Sequence, residues 1–163
     1  MTGGRTLVAG LGNPIVSDDG VGVAVAREVA RRLGPMPGLS VTELYAGGLR
    51  LMDALVGFSR VVLIDAMLTG LHAPGTCLRL SLDDLASTLH TASSHDASLP
   101  IALATGRALG LAMPDDVIIW AVEAADVSTF SESLTPPVAA SVGRVADLVI
   151  AELGPPARTE ARP

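Results

Sequence analysis

The chain contains no lysine, and all 11 of its basic residues are arginine. That absence excludes Schiff-base chemistry and any phosphate loop that reaches its ligand through a lysine. Cysteine is represented by Cys77 alone, so an intramolecular disulfide and a thiolate zinc cluster are excluded as well. Aromatics are equally scarce: Trp120, Tyr45, Phe58 and Phe130 are the whole set. The core must therefore be aliphatic. With 49% hydrophobic residues over 163 positions, Val, Leu, Ile and Ala suffice for one full domain. A formal net charge of −6 opposes functions that neutralise many phosphates, which argues against nucleic acid as a partner. No apolar run reaches the roughly 20 residues of a membrane span. Met1–Arg5 leads into a short strand rather than a signal-peptide core. The reading is a soluble cytoplasmic protein without membrane insertion.

What is present is an alternation of strand and helix. Thr6–Gly10 reads as a buried parallel strand and Gly20–Leu33 as an amphipathic helix, with Val21, Val25, Val29 and Leu33 on one face. Strands are predicted at Leu39–Ala46, Val61–Asp65 and Val117–Val122, and a short, antiparallel edge strand at Thr76–Leu80. Helices are predicted at Leu49–Val56, Leu82–Leu89 and Leu99–Leu109. A closing helix spans Leu134–Leu153, with Val138, Val142, Val145, Val149 and Leu153 along one stripe. The expected fold is α/β, a three-layer α/β/α sandwich around a mostly parallel sheet. It occupies residues 1–153, and 154–163 are expected to form a disordered tail.

Ligands of such sheets bind outside the carboxyl ends of the strands. The first strand is followed by Gly10-Leu11-Gly12-Asn13 and then Ser17-Asp18-Asp19. This opens like a dinucleotide fingerprint, but Ile15 replaces the third glycine, and two acids stand where a pyrophosphate would lie. Either Ser17 or Asp18 can cap the following helix, which leaves a carboxylate available. Asp65 closes the aliphatic run Val61-Val62-Leu63-Ile64, and His95 lies in a Ser-rich loop. Two carboxylates and an imidazole can hold a divalent metal, or can act as general acid–base groups without one. No Gly-x-Ser-x-Gly elbow supports serine catalysis, and Cys77, inside a strand, reads as structural.

Several segments together resemble the maturation endopeptidases of nickel–iron hydrogenases. They are Val8-Ala9-Gly10-Leu11-Gly12-Asn13 with Ser17-Asp18-Asp19-Gly20-Val21-Gly22, then Val62-Leu63-Ile64-Asp65-Ala66, Ala73-Pro74-Gly75-Thr76, Ser93-Ser94-His95 and Ser133-Leu134-Thr135-Pro136. The resemblance implies a twisted sheet between helices, of the phosphorylase/hydrolase type. It implies an endopeptidase that removes the C-terminal extension of a hydrogenase large-subunit precursor after nickel insertion. It further implies that Asp19, Asp65 and His95 are the metal-binding and catalytic residues. The nickel is the substrate's own ion, other divalent metals can occupy the site, and an acid assists water attack in aspartyl-protease fashion. Ala46-Gly47-Gly48-Leu49 departs from the Asp-Gly-Gly-Thr of many members: its glycines remain, but the acid and the hydroxyl are gone. Two alternatives accompany this reading. One is a non-catalytic metal-binding carrier on the same residues. The other is a peptidyl-tRNA hydrolase-like enzyme, suggested by Gly10-Leu11-Gly12-Asn13-Pro14 but opposed by the acidic charge.

Overall fold

The computed structural model describes residues 4–87 and 98–154. The strands are β1 (Thr6–Leu11), β2 (Leu39–Leu44), β3 (Arg60–Met67), β4 (Cys77–Ser81) and β5 (Asp116–Glu123). The helices are α1 (Val21–Leu33), α2 (Leu49–Leu55), α3 (Leu82–Ser87), α4 (Ser98–Ala108) and α5 (Pro136–Leu153). One sheet has the order β2-β1-β3-β5-β4. Its strands are parallel except β4, which runs antiparallel to β5 at the edge, as the sequence predicts. Beyond Ser87, the end of the predicted Leu82–Leu89 helix lies outside the described residues. So do the loop carrying His95 and residues 155–163 of the expected tail.

Strand periodicity sorts the aliphatic residues into two cores. On one face Leu7, Ala9, Val61, Leu63, Val117 and Ile119 pack with residues of α2 and α4, such as Leu51, Leu55 and Leu103. On the other face Val8, Val62, Ile64, Ile118 and Trp120 pack with the predicted stripes of α1 and α5. Val21, Val25, Val29, Val138, Val145 and Val149 are fully buried in that layer. The result is the three-layer sandwich expected from the alternation. No helix among the described residues is long and apolar enough to cross a membrane.

Two glycines bring α1 onto the sheet. A Cβ on Gly22 would stand 2.3 Å from the Ile64 carbonyl oxygen and 2.5 Å from that of Leu11. One on Gly10 would stand 2.2 Å from the Gly22 carbonyl oxygen. The first turn of α1 therefore lies directly on the backbones of β1 and β3. We expect Gly22→Ala to cost about 1–3 kcal/mol through backbone displacement, because no flexible side chain can yield. A urea denaturation midpoint equal to wild type would contradict this contact.

Candidate active site

Strands β1, β2, β3 and β5 are parallel, so the loops that follow them gather at one end of the sheet. The loop after β1 ends in a 3-10 turn, Ser17–Gly20, which packs against β3. That packing brings the turn bearing Asp19 to the strand bearing Asp65. Asp19 is half-buried, and its Oδ2 accepts a hydrogen bond of 2.9 Å from the Asn13 backbone N–H. The same motif thus supplies both the carboxylate and the group that orients it.

Asp65 is 1% exposed. Its Oδ1 accepts a 2.8 Å hydrogen bond from the Ala66 N–H. The sequence places Asp65 at the end of its strand, whereas β3 continues through Ala66 to Met67. The boundary instead belongs to the neighbouring ladder. β1 pairs with β3 only as far as Gly10↔Ile64, while β5 stays paired through Asp65↔Ala121 to Met67↔Glu123. Asp65 is the first β3 residue past the point where β1 turns away, at a lip in the sheet. By strand alternation it shares a face with Leu63 and Met67, the face covered by α2 and α4.

His95 lies outside the described residues, three positions before α4 begins. Among the described residues, no three His, Cys, Asp or Glu side chains converge as a metal-binding group. Of the predicted set, only Asp19 and Asp65 lie among the described residues.

Neither predicted helix cap forms. The 3-10 turn and α1 both begin without a side-chain cap hydrogen bond. Asp18 is fully buried, and it reaches across the molecule instead. Its Oδ2 accepts from the backbone N–H groups of Ala125 (2.9 Å) and Asp126 (3.1 Å) and from the Thr135 hydroxyl (2.8 Å). Its Oδ1 accepts from the Thr135 N–H at 2.7 Å. Thr135 is the residue from which α5 starts, so Asp18 fastens the whole β5–α5 loop to the turn that carries Asp19.

A third buried acid went unremarked in the sequence. Glu123, 1% exposed, ends β5 much as Asp65 follows its aliphatic run, and that position is the signal that could have revealed it. Its Oε1 accepts from the N–H groups of Thr69 (2.9 Å) and Gly70 (2.8 Å), and its Oε2 from the Thr69 hydroxyl (2.7 Å). The loop after β3 is held to β5 in this way. Gly75 of the Ala73-Pro74-Gly75-Thr76 segment lies on the start of α5. A Cβ there would stand 2.7 Å from the Pro137 carbonyl oxygen, and Gly75 already has φ +88°. In the departing segment Gly48 has φ +65° ahead of α2, so its glycine serves the turn even without the usual flanking acid.

The sequence and the fold both have known relatives. The family model described as hydrogenase maturation protease matches residues 23–152, a span that begins just after the first loop. The hydrogenase expression/formation protein HupD of Bradyrhizobium diazoefficiens is 30% identical over 156 residues, covering 92% of this chain and 80% of its own length. The hydrogenase maturating endopeptidase HybD from E. coli has a TM-score of 0.75 at 24% identity over 91% of each chain. The [NiFe] hydrogenase maturation protease HybD from Thermococcus kodakarensis has a TM-score of 0.69 at 24% identity, covering 91% of this chain and 98% of that one. The chain belongs to the hydrogenase maturation protease family. It is a peptidase, and the peptidyl-tRNA hydrolase-like alternative is set aside.

Two expectations follow. Asp18→Ala should destabilise the fold by about 3 kcal/mol, because it leaves several donors without their acceptor. Amide exchange at Ala125, Asp126 and Thr135 should accelerate with it, and unchanged exchange would remove Asp18 from this role. Burial pushes the Cys77 thiol up to about 11, against the pull of Arg144. Less thiolate at pH 8 means slower alkylation, so iodoacetamide should label the native protein about 100-fold more slowly than the unfolded chain. Equal rates would contradict a structural Cys77.

Proposed function

We propose that this peptidase removes the C-terminal extension of a nickel–iron hydrogenase large-subunit precursor after nickel insertion. Asp19, Asp65 and His95 bind the precursor's nickel, which belongs to the substrate. The observation that carries this reading is the packing of the Asp19 turn against β3 at the lip where Asp65 emerges. The donor set suits the ion: carboxylate oxygens with one imidazole bind divalent metals of borderline character. In the chain, His95 precedes α4, which lies on the face to which Asp65 belongs.

The precursor's nickel positions the scissile bond against this lip. A carboxylate of the pair takes a proton from water as the hydroxide adds to the peptide carbonyl. That proton then passes to the departing amine, so the bond breaks with one water consumed. We place the reaction in the cytoplasm, in keeping with the lone thiol of Cys77.

The test is mass spectrometry of the nickel-loaded precursor incubated with wild type and with Asp19→Ala, Asp65→Ala or His95→Ala. Each variant should cut at least about 100-fold more slowly. Undiminished cleavage by all three would sink the assignment. The loss of the acid and hydroxyl around Gly47-Gly48 favours testing a second reading, a nickel carrier. Wild-type protein that binds the precursor and leaves it whole would support that reading instead.

A further inference from the structure

We propose that Ile15 and Phe130 form a docking ridge that seats an apolar patch of the large-subunit precursor beside the Asp19–Asp65 lip. This rests on the proposed function for the identity of the partner, and on the following geometry for the surface.

Phe130 is 84% exposed and Ile15 is 48% exposed. They come from different loops, 115 positions apart in sequence, yet the backbone sets them side by side. Val16 and Ser131 form a parallel bridge. The Ser131 N–H donates to the Ile15 carbonyl at 3.0 Å, and the Ser17 N–H donates to the Ser131 carbonyl at 2.9 Å. Ile15 and Phe130 are the residues just before the two bridge partners.

An exposed phenylalanine on a loose loop would mean little. This loop is bonded along its length. Asp18 holds Ala125, Asp126 and Thr135. The Asp126 carboxylate accepts from the N–H groups of Ser128 (2.8 Å) and Thr129 (3.0 Å), and the Thr129 hydroxyl, followed by these backbone bonds, holds its carboxyl well below the usual range. The Ser131 hydroxyl accepts from the Ser133 N–H at 3.1 Å. A large apolar side chain is thus presented to water by a backbone that is already ordered. Such a group gains by association without paying the entropy of loop ordering. Aromatic anchors in that position dominate binding energy at interfaces.

The position selects the occupant. Ile15 lies two positions before the turn that carries Asp18 and Asp19, and the Val16–Ser131 bridge ties Phe130 to it, so the ridge adjoins the loop that presents Asp19 at the lip. Tyr45, Leu49, Leu68 and Leu71, also exposed, follow β2 and β3 at the same end of the sheet. Glu132, exposed next to the ridge, asks for a basic border on the partner's apolar patch.

The experiment measures cleavage kinetics and binding of the nickel-loaded large-subunit precursor from the protein's own organism. Phe130→Ser and Ile15→Ser should each raise KM about tenfold or more, with the loss in KM rather than kcat, and Phe130→Leu should recover part of it. Leu109→Ser serves as the control. Leu109 is also exposed, but it precedes β5 at the opposite end of the sheet, and its KM should match wild type. KM within twofold of wild type for both Phe130→Ser and Ile15→Ser would overturn the docking ridge while leaving the proposed function standing. If Phe130→Ser unfolds, Ile15→Ser and Phe130→Leu decide by the same criterion. A wild-type protein that binds without cutting shifts the readout to Kd, with the same expected tenfold change. A wild-type protein that neither binds nor cuts overturns both readings, a result distinct from the first.

Discussion

The contact on which the site depends is backbone against backbone. Gly10, Gly22 and the Ile64 carbonyl meet at a distance that leaves no room for a methyl group. Because α1 starts so low on the sheet, the 3-10 turn just before it is pressed against β3. Gly12 extends the same constraint. With φ +135° and its Cβ direction only 1.8 Å from the Asp19 carbonyl oxygen, it lets the loop double back on itself. A wider gap between α1 and the sheet would carry Asp19 away from Asp65.

Buried carboxylates then do what regular ladders cannot. Where β3 and β5 give way to loops, backbone N–H groups lose their strand partners and still need acceptors. Glu123 accepts from Thr69 and Gly70, and Asp18 from Ala125, Asp126 and Thr135. Each carboxylate offers two oxygens and several lone pairs, and charge-assisted bonds of this kind are stronger than neutral ones. The neighbours Asp18 and Asp19 accordingly divide their work. One is spent on holding the β5–α5 loop, and the other points its bond to Asn13 alone among the described residues.

The absence of lysine has a structural counterpart in forked ion pairs. Arg27 meets Glu43 through Nε and Nη2, and Arg79 meets Glu152 in the same way. Arg31 and Arg32 both reach Glu28, from three and four positions further along α1. Planar guanidinium forks fix geometry better than a flexible ammonium. These pairs are largely exposed, so they stabilise little, and they lie on α1, β2, β4 and α5 away from the lip.

Periodicity alone determined most of the architecture: the buried stripes of α1 and α5, the aliphatic strands and the edge strand β4, whereas the set Asp19, Asp65 and His95 was named by resemblance to a family. These features depend on residues within a few positions of one another, and hydrophobic spacing records them directly. Only the tertiary structure decided that Asp18 is a fastening and not a helix cap, that Glu123 secures the loop after β3, and that Ile15 and Phe130 stand together. Asp18 finds its partners 107 to 117 positions away. No local pattern marks such a partner, because the competition between a nearby cap and a distant set of donors is settled only when β5 and α5 are packed into place.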